Sequence, residues 1–523
     1  MRISWRSLAV DFSASIAVYL VALPLCLGVA VASDANPIAG IIAGIVGGIV
    51  IGILSKSPLS VSGPAAGLTA IVAAAIGMLP SYEVFMVSVV IAGMFQLLFG
   101  FLKAGQIADF IPNAVIKGML AAIGLILIFK QIPYFLGYHE YPGGGESFIQ
   151  TTQKNFYTGF IEALLHPDTG ASIIGLSALS ILLLFEHKRV KSRPLFRFFP
   201  AALMAVLAGI LLNHFFSICQ KTWQLKGGHL VALPVFEKPN LLISSLSFPD
   251  WKEWTHPQVW ETAITLAIVA SLETLLSIEA VDRIDPERRT TPTNQELKAQ
   301  GVGNIVSGLL GGLPVTSVIV RSSANVNAGA YSKLSTIIHG FLICISLLFF
   351  PKWLNMIPLS CLAAVLLLTG YKLAKPALFI SMKQKGWIQF SLFLTTVLAI
   401  LLTDMLKGIL VGIIVGLIIL VRSNFKRAIF IIRKENGYLI QFSKKVSFLN
   451  KGIIKRALAD IPKNTYVLLD VTKSDYIDPD IIESVDDFIA SAEQQGIRVE
   501  VQYNAGKTKP FFNQSLQKGS IFI

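Results

Sequence analysis

The chain has 523 residues, of which 54% are apolar and only 14% charged, with a formal net charge of +13. Soluble domains carry roughly 25% charged residues, so a soluble protein of this length is excluded. The positive excess reads as loop bias around membrane segments, aided by contact with anionic lipid, and no nucleic-acid-binding motif accompanies it.

Residues 1–11 are too short and too polar for a signal peptide, so the run after them reads as a retained first helix. Apolar runs follow near residues 12–32, 37–54, 64–79, 84–102, 113–136, 172–186, 198–216, 260–281, 300–312, 316–328, 333–350, 357–370, 388–404 and 407–421. That makes about fourteen segments of near-spanning length. Two are short and interrupted, one opening at Ser62-Gly63-Pro64 and one at Leu313-Pro314. Basic residues gather in the even loops: Lys188, Arg189, Lys191, Arg193 and Arg197, then Arg283, Arg288, Arg289 and Lys298, then Lys372, Lys375, Lys383 and Lys385. Arg422, Lys426, Arg427, Arg433 and Lys434 follow the last run. The positive-inside rule then puts both termini in the cytoplasm of a multi-pass inner-membrane protein.

Fourteen segments halve into seven plus seven, and an odd number per half inverts the second half relative to the first. Pro64 and Pro314 stand 250 residues apart, each opening the short segment of its half. The same spacing sets Pro24 beside Glu273 and Thr274. The expected layout is a membrane domain over residues 1–425, with repeats near 11–216 and 258–425. A small cytoplasmic α/β domain over 435–523 follows, with strands at 437–448, 466–471 and 497–502 and helices at 453–459 and 481–494. The tail at 504–523 has no clear pattern.

Helices that begin inside a membrane leave unpaired backbone amides at their starts, and those amides attract anions. Proline suits such a start because it has no N–H to lose. Ser62, Ala65, Ala66, Gly67 and Thr69 in the first break, and Val315, Thr316 and Ser317 in the second, are therefore candidate anion ligands. The plain alternative is a pair of packing kinks. Glu273 lies mid-way along an apolar run, where a carboxylate is expensive. With Ser277 one turn on, and carbonyls near Thr316, it can hold Na⁺ or carry a proton. A structural hydrogen bond is the alternative. Arg321 sits inside the tenth run, either pairing with Glu273 or lending an anion positive potential, unless it snorkels. Lys130 and Asp404 read as helix-end residues. Cys26, Cys219, Cys344 and Cys361 have neither metal-ligand spacing nor a disulfide framework, and no cofactor is implied beyond a bound Na⁺.

Taken in order, Ser62-Gly63-Pro64, Leu272-Glu273, Asn294-Gln295-Glu296-Leu297, Gly301-Val302-Gly303-Asn304-Ile305, Leu313-Pro314-Val315-Thr316, Arg321-Ser322 and Ile357-Pro358-Leu359 resemble the sulfate permease family, bacterial relatives of the solute carrier 26 anion transporters. The C-terminal part, with Val467-Leu468-Leu469-Asp470-Val471 and Tyr476-Ile477-Asp478, resembles that family's STAS domain. Pro479-Asp480 stands where many STAS domains place a serine or threonine. The resemblance implies a core and a gate domain, a homodimer, and an anion held between the third and tenth helices. It gives Glu273 the coupling role and Arg321 the basic position. Many sulfate-type members have glutamine after the first-helix proline, whereas Pro24 here precedes Leu25 and Cys26, which leaves bicarbonate open beside sulfate. Competing readings are a nucleobase permease of the same fold, an uncoupled anion channel, and a membrane enzyme; no nucleophile–base pair supports the last.

Overall fold

A computed structural model of the chain describes residues 5–106, 112–138, 155–187, 200–235, 246–403, 405–425, 429–434, 437–443, 445–503 and 520–522. The basic cluster Lys188, Arg189, Lys191, Arg193 and Arg197 lies outside them, as do Asp404, Lys426, Arg427 and most of the tail. Two compact units are present, Met1–Ile413 and Ile414–Ile523. The division falls inside the last long helix, ahead of the expected boundary near 425–435.

In the first unit α1 is Trp5–Ala32 and α2 is Pro37–Val46, prolonged by a π turn, Gly47–Ile51, and by Gly52–Leu54. Asn36 caps α2 by accepting from Ile38 N at 3.1 Å, and Pro37 takes the first helical position, where its missing N–H costs nothing. Strand β1, Ser62–Pro64, leads through a 3₁₀ turn, Ala66–Leu68, into α3, Thr69–Met78. Then come α4, Tyr82–Phe101, α5, Asn113–Phe135, α6, Thr169–Glu186, and α7, Ala201–Cys219. The second half runs α8, Pro257–Ile284, α9, Thr293–Leu309, β2, Val315–Ser317, and α10, Ile319–Asn327. It closes with α11, Leu334–Phe349, α12, Leu359–Leu373, α13, Trp387–Leu402, and α14, Met405–Phe425.

Among the described residues eight helices are long and apolar enough to cross a membrane, and four shorter apolar helices join them. Of the expected segments, α9 and α10 belong to neither group. Helix α9 starts at Thr293, well before the apolar run expected at 300–312, and stops at Leu309. Its polar first turns are buried in protein rather than lipid, so hydropathy misplaces it: Glu296, Gln300 and Asn304 are all buried.

The packing repeats at nearly the spacing that separates the two prolines. Helix α1 packs on α11 as α8 packs on α4, and α2 packs on α11 as α9 packs on α4. The matched contacts use matched glycines. A Cβ on Gly48 would lie 2.5 Å from the Cα of Gly340, and one on Gly301 would lie 2.7 Å from the carbonyl oxygen of Gly93. Helices α5 and α12 cross at Gly124 and Gly370, each close to the other's carbonyl oxygen. Helices α5, α6, α7, α12 and α13 form one packed group, while α2, α4, α8, α9 and α11 form another around β1 and β2.

The second unit contains β3, Ile429–Lys434, β4, Gly437–Phe442, β5, Lys445–Val446, α15, Lys451–Ala459, β6, Tyr466–Asp470, β7, Tyr476–Ile477, α16, Pro479–Ala492, β8, Arg498–Tyr503, and β9, Ser520–Phe522. Its main sheet has the order β3-β4-β6-β8-β9, with β3 antiparallel to β4 and the other pairs parallel. Ile440, Phe442, Val467, Leu469, Ile481 and Val501 fill its core. Strand β3 precedes the expected domain start, and β4 ends at Phe442 rather than 448. Strand β9 lies in the tail that shows no sequence pattern.

Candidate functional site

The two breaks meet. Strands β1 and β2 pair antiparallel, with Ser62 opposite Ser317, Gly63 opposite Thr316 and Pro64 opposite Val315. Because the ladder is antiparallel, α3 departs from one end and α10 from the other. Their first turns therefore face each other across three residue pairs. Both starts present amide dipoles of the same sign to the space between them, which favours an anion there.

The ladder is held by polar side chains from α8, α9 and the segment before β1. Asn304 accepts from Val315 N at 2.6 Å and donates to Val315 O at 2.9 Å. Its amide also donates to Gln96 Oε1 at 2.6 Å. Ser317 N donates to Thr274 Oγ1 at 3.3 Å, and the Ser60 and Ser317 hydroxyls lie 2.6 Å apart. Ser62 Oγ accepts from Gln300 Nε2 at 2.7 Å. Thr69 Oγ1 donates to Ala66 O at 2.8 Å and so fastens its own 3₁₀ turn, while Thr316 Oγ1 turns to Ser317 O at 3.3 Å.

Glu273 reaches the first break. A Cβ on Gly67 would stand 2.6 Å from Glu273 Oε1, so only glycine permits this approach. Glu273 Oε2 is buried and has no hydrogen-bond partner among the described residues. Neighbouring residues of α8 thus touch both breaks, Glu273 at Gly67 and Thr274 at Ser317. Ser277, one turn beyond, is also buried. An orphaned carboxylate oxygen suits a small cation or a proton.

Arg321 is placed differently from Glu273. Its side chain is fully buried, Nη2 donates to Pro64 O at 3.3 Å, and a Cβ on Gly63 would collide with Nη1. The guanidinium lies beside the Cys26 thiol of α1 and near His339 of α11. It makes no ion pair with Glu273 among the described residues. Its charge is therefore set against β1 rather than spent on Glu273. Glu279 pairs with Arg283 at the exposed end of α8, and Asp282 accepts from Thr291 N and Oγ1, both at 2.7 Å. Farther along α8, a cleft of about 250 Å³ opens between Leu276, Glu279 and Asp282 and the start of α5 at Asn113 and Ile116.

Sequence reasoning about function missed Gln96, Thr274, Glu296, Gln300, Asn304 and His339. Glu296, Gln300 and Asn304 lie on α9, whose burial hydropathy does not show, while Gln96, Thr274 and His339 are lone polar residues inside the apolar runs of α4, α8 and α11.

The family model described as the sulfate permease family matches residues 8–396. The chain is 26% identical over 372 residues to the putative sulfate transporter YvdB of Bacillus subtilis, covering 70% of this chain and 64% of that protein. It is 25% identical to the bicarbonate transporter BicA of Picosynechococcus, covering 71% of this chain and 62% of that one. These matches span a little under two thirds of each relative's length. In structure, the transmembrane domain of a cyanobacterial bicarbonate transporter BicA superposes with a TM-score of 0.64 and 22% identity, covering 78% of this chain and 98% of that one. Murine Solute Carrier 26 family member A9, in its inward-facing state, superposes with a TM-score of 0.75 and 15% identity, covering 94% and 85%. With a family match over most of its length and a membrane-transporter fold, this chain belongs to the sulfate permease family.

Proposed function

We propose that the chain is a secondary active transporter, not an enzyme, that moves a small inorganic anion, sulfate or bicarbonate, coupled to Na⁺ or a proton. The observation that carries this reading is Glu273, whose carboxylate lies against Gly67 at the start of α3 with one oxygen unpartnered. The anion sits between the starts of α3 and α10, near Ser62, Ala65, Ala66, Gly67 and Thr69 on one side and Val315, Thr316 and Ser317 on the other. Arg321 adds positive potential from behind β1. A cation held by Glu273 and Ser277, with Thr316 nearby, or a proton on Glu273, removes a negative charge next to the anion. Each ion then favours the other's binding, because opposite charges attract strongly at low dielectric and such coupling is reciprocal.

Alternating access follows from the two helix groups, the one around the ladder moving against the one built on α5, α12 and α13. The cleft along α8 is the cytoplasmic way in. The reading includes fourteen crossings with both termini inside, a homodimer in the inner membrane, and a STAS-like C-terminal unit. Leu25 and Cys26 after Pro24 offer no amide donor, which favours bicarbonate over sulfate.

The test is uptake of labelled bicarbonate and of labelled sulfate into proteoliposomes, with Na⁺ and pH gradients imposed separately. Uptake of at least one anion that rises with one gradient is expected. If neither anion moves under either gradient, the reading is wrong. Uptake that ignores both gradients removes the coupling from the reading and leaves an uncoupled anion pathway.

A further inference from the structure

Glu296 is buried to 1% exposure on α9, and Gln300, one turn later, is fully buried. Glu296 Oε2 accepts from Ser55 Oγ at 2.5 Å, and Oε1 accepts from Gln300 Nε2 at 2.9 Å. The same Nε2 donates to Ser62 Oγ of β1 at 2.7 Å. No cation pairs with Glu296 among the described residues. Charged groups of neighbouring segments have other partners: Lys333 Nζ donates to Ile53 O at 2.8 Å and to Ser55 O at 3.3 Å, and Asp282 accepts from Thr291.

A carboxyl inside a membrane protein is costly, and a well-packed apolar side chain would fill the same space without that cost. The arrangement makes sense through what the carboxyl orients. An amide can present either its oxygen or its NH₂ to a neighbour. With a carboxylate oxygen on one side, only the NH₂ end of Gln300 is tolerated there, and that end also reaches Ser62. Gln300 Oε1 is left without a partner, so Glu296 is what decides the orientation. Ser62 Oγ is thereby made an acceptor, and its own hydroxyl hydrogen is left for a different acceptor. An anion is such an acceptor.

We propose that Glu296 and Gln300 are positioning residues that fix Ser62 as a hydrogen-bond donor to the transported anion and pin β1 in the ladder. This rests on the anion-transport reading above. The full-length protein is tested as Gln300→Ala, Glu296→Ala, Glu296→Gln and Ser62→Ala, with two readouts. Hydrogen exchange over residues 61–66 reports the pinning without any need for transport. The concentration dependence of labelled bicarbonate and sulfate uptake reports anion affinity.

Gln300→Ala and Glu296→Ala are expected to speed exchange over 61–66 and to raise the apparent KM about tenfold, the size of one hydrogen bond, with the maximum rate little changed. Glu296→Gln, which keeps an acceptor for Gln300, should recover most of that affinity. Gln300→Ala should add little on top of Ser62→Ala, because the two act in one chain. Unchanged exchange in Gln300→Ala overturns the proposal. So does an unchanged KM in a preparation whose wild type transports. A wild type that moves neither anion defeats the transport reading instead, and the exchange result still decides whether Gln300 holds β1.

Discussion

Arg321 is a whole positive charge that no carboxylate answers among the described residues. Its stem and guanidinium are fully buried, and one of its five N–H donors is accounted for by Pro64 O. Such a charge is expensive, and on the proposed reading the transported anion offsets that cost. Arg321→Met, of similar length and without charge, is expected to leave the protein folded while raising the apparent KM for the anion. Arg321→Lys, which keeps the charge but loses the planar guanidinium and its reach to Pro64 O, should recover part of the affinity. Uptake curves for the two variants decide this, and a wild-type KM in Arg321→Met removes Arg321 from anion binding. Glu273→Gln should abolish uptake driven by a gradient while leaving anion exchange across the membrane, because the amide can neither carry the proton nor hold a cation by charge. Gradient-driven uptake by that variant at the wild-type rate would take Glu273 out of the coupling. Both residues were legible in the sequence, since a charge inside an apolar run stands out. Gln300 and Asn304 were not singled out, because both fall in the run expected at 300–312, where an uncharged amide stands out far less than a charge.

At the scale of elements, the apolar runs located the helices well wherever lipid or apolar neighbours surround them. They failed at α9, which is amphiphilic and enclosed, and at β1 and β2, because three residues are too few to show a period. The proline spacing did point to the two breaks, but not to the strand pairing between them. The glycine contacts are the physical form of the repeat. Placing a methyl group at Gly301 puts it 2.7 Å from Gly93 O, and placing one at Gly340 puts it 2.9 Å from the Cα of Gly48. Each substitution overpacks a helix crossing, which costs roughly 1–3 kcal/mol. Gly301→Ala and Gly340→Ala are therefore expected to lower the melting temperature by similar amounts. Gly452, exposed in α15, has open space where an added methyl group would stand, with nothing within 4 Å. Gly452→Ala should raise stability by about 0.4–1 kcal/mol through the unfolded chain. Thermal unfolding of the three variants in one detergent checks the set; equal melting temperatures for all of them would contradict the packing argument.

Across the whole membrane unit, helix α1 and three connecting segments from both halves are laced together at one end. Asp11 of α1 accepts from Tyr331 N at 2.7 Å, from Ser332 N at 3.0 Å and from Ser332 Oγ at 2.5 Å. Arg289 donates to Tyr331 O at 2.9 Å, stacks 5.7 Å from the Tyr331 ring, and grips Asp285 at 2.7 and 3.1 Å. Thr291 joins Asp282 to Ser57 after α2, its hydroxyl 3.1 Å from Ser57 Oγ. This lacing makes the unit sensitive to acid through Asp285. Burial pushes the Asp285 carboxyl up, but hydrogen bonds from the Arg289 side chain and the Glu287 backbone, with the Arg289 charge, outweigh it and hold the group below its ordinary value. A carboxyl so depressed stabilises the fold fully above its ordinary value, about 4, and loses that contribution as the pH falls through the lower folded-state value. Asp285→Asn removes the effect at every pH. The wild type should therefore melt above Asp285→Asn at neutral pH, with a constant gap down to about pH 4 that narrows below it. Melting curves of both proteins across that range test it. A gap that stays constant into strong acid, or that opens on acidification, would mean that the Asp285–Arg289 tie does not stabilise the turn after α8 through its charge.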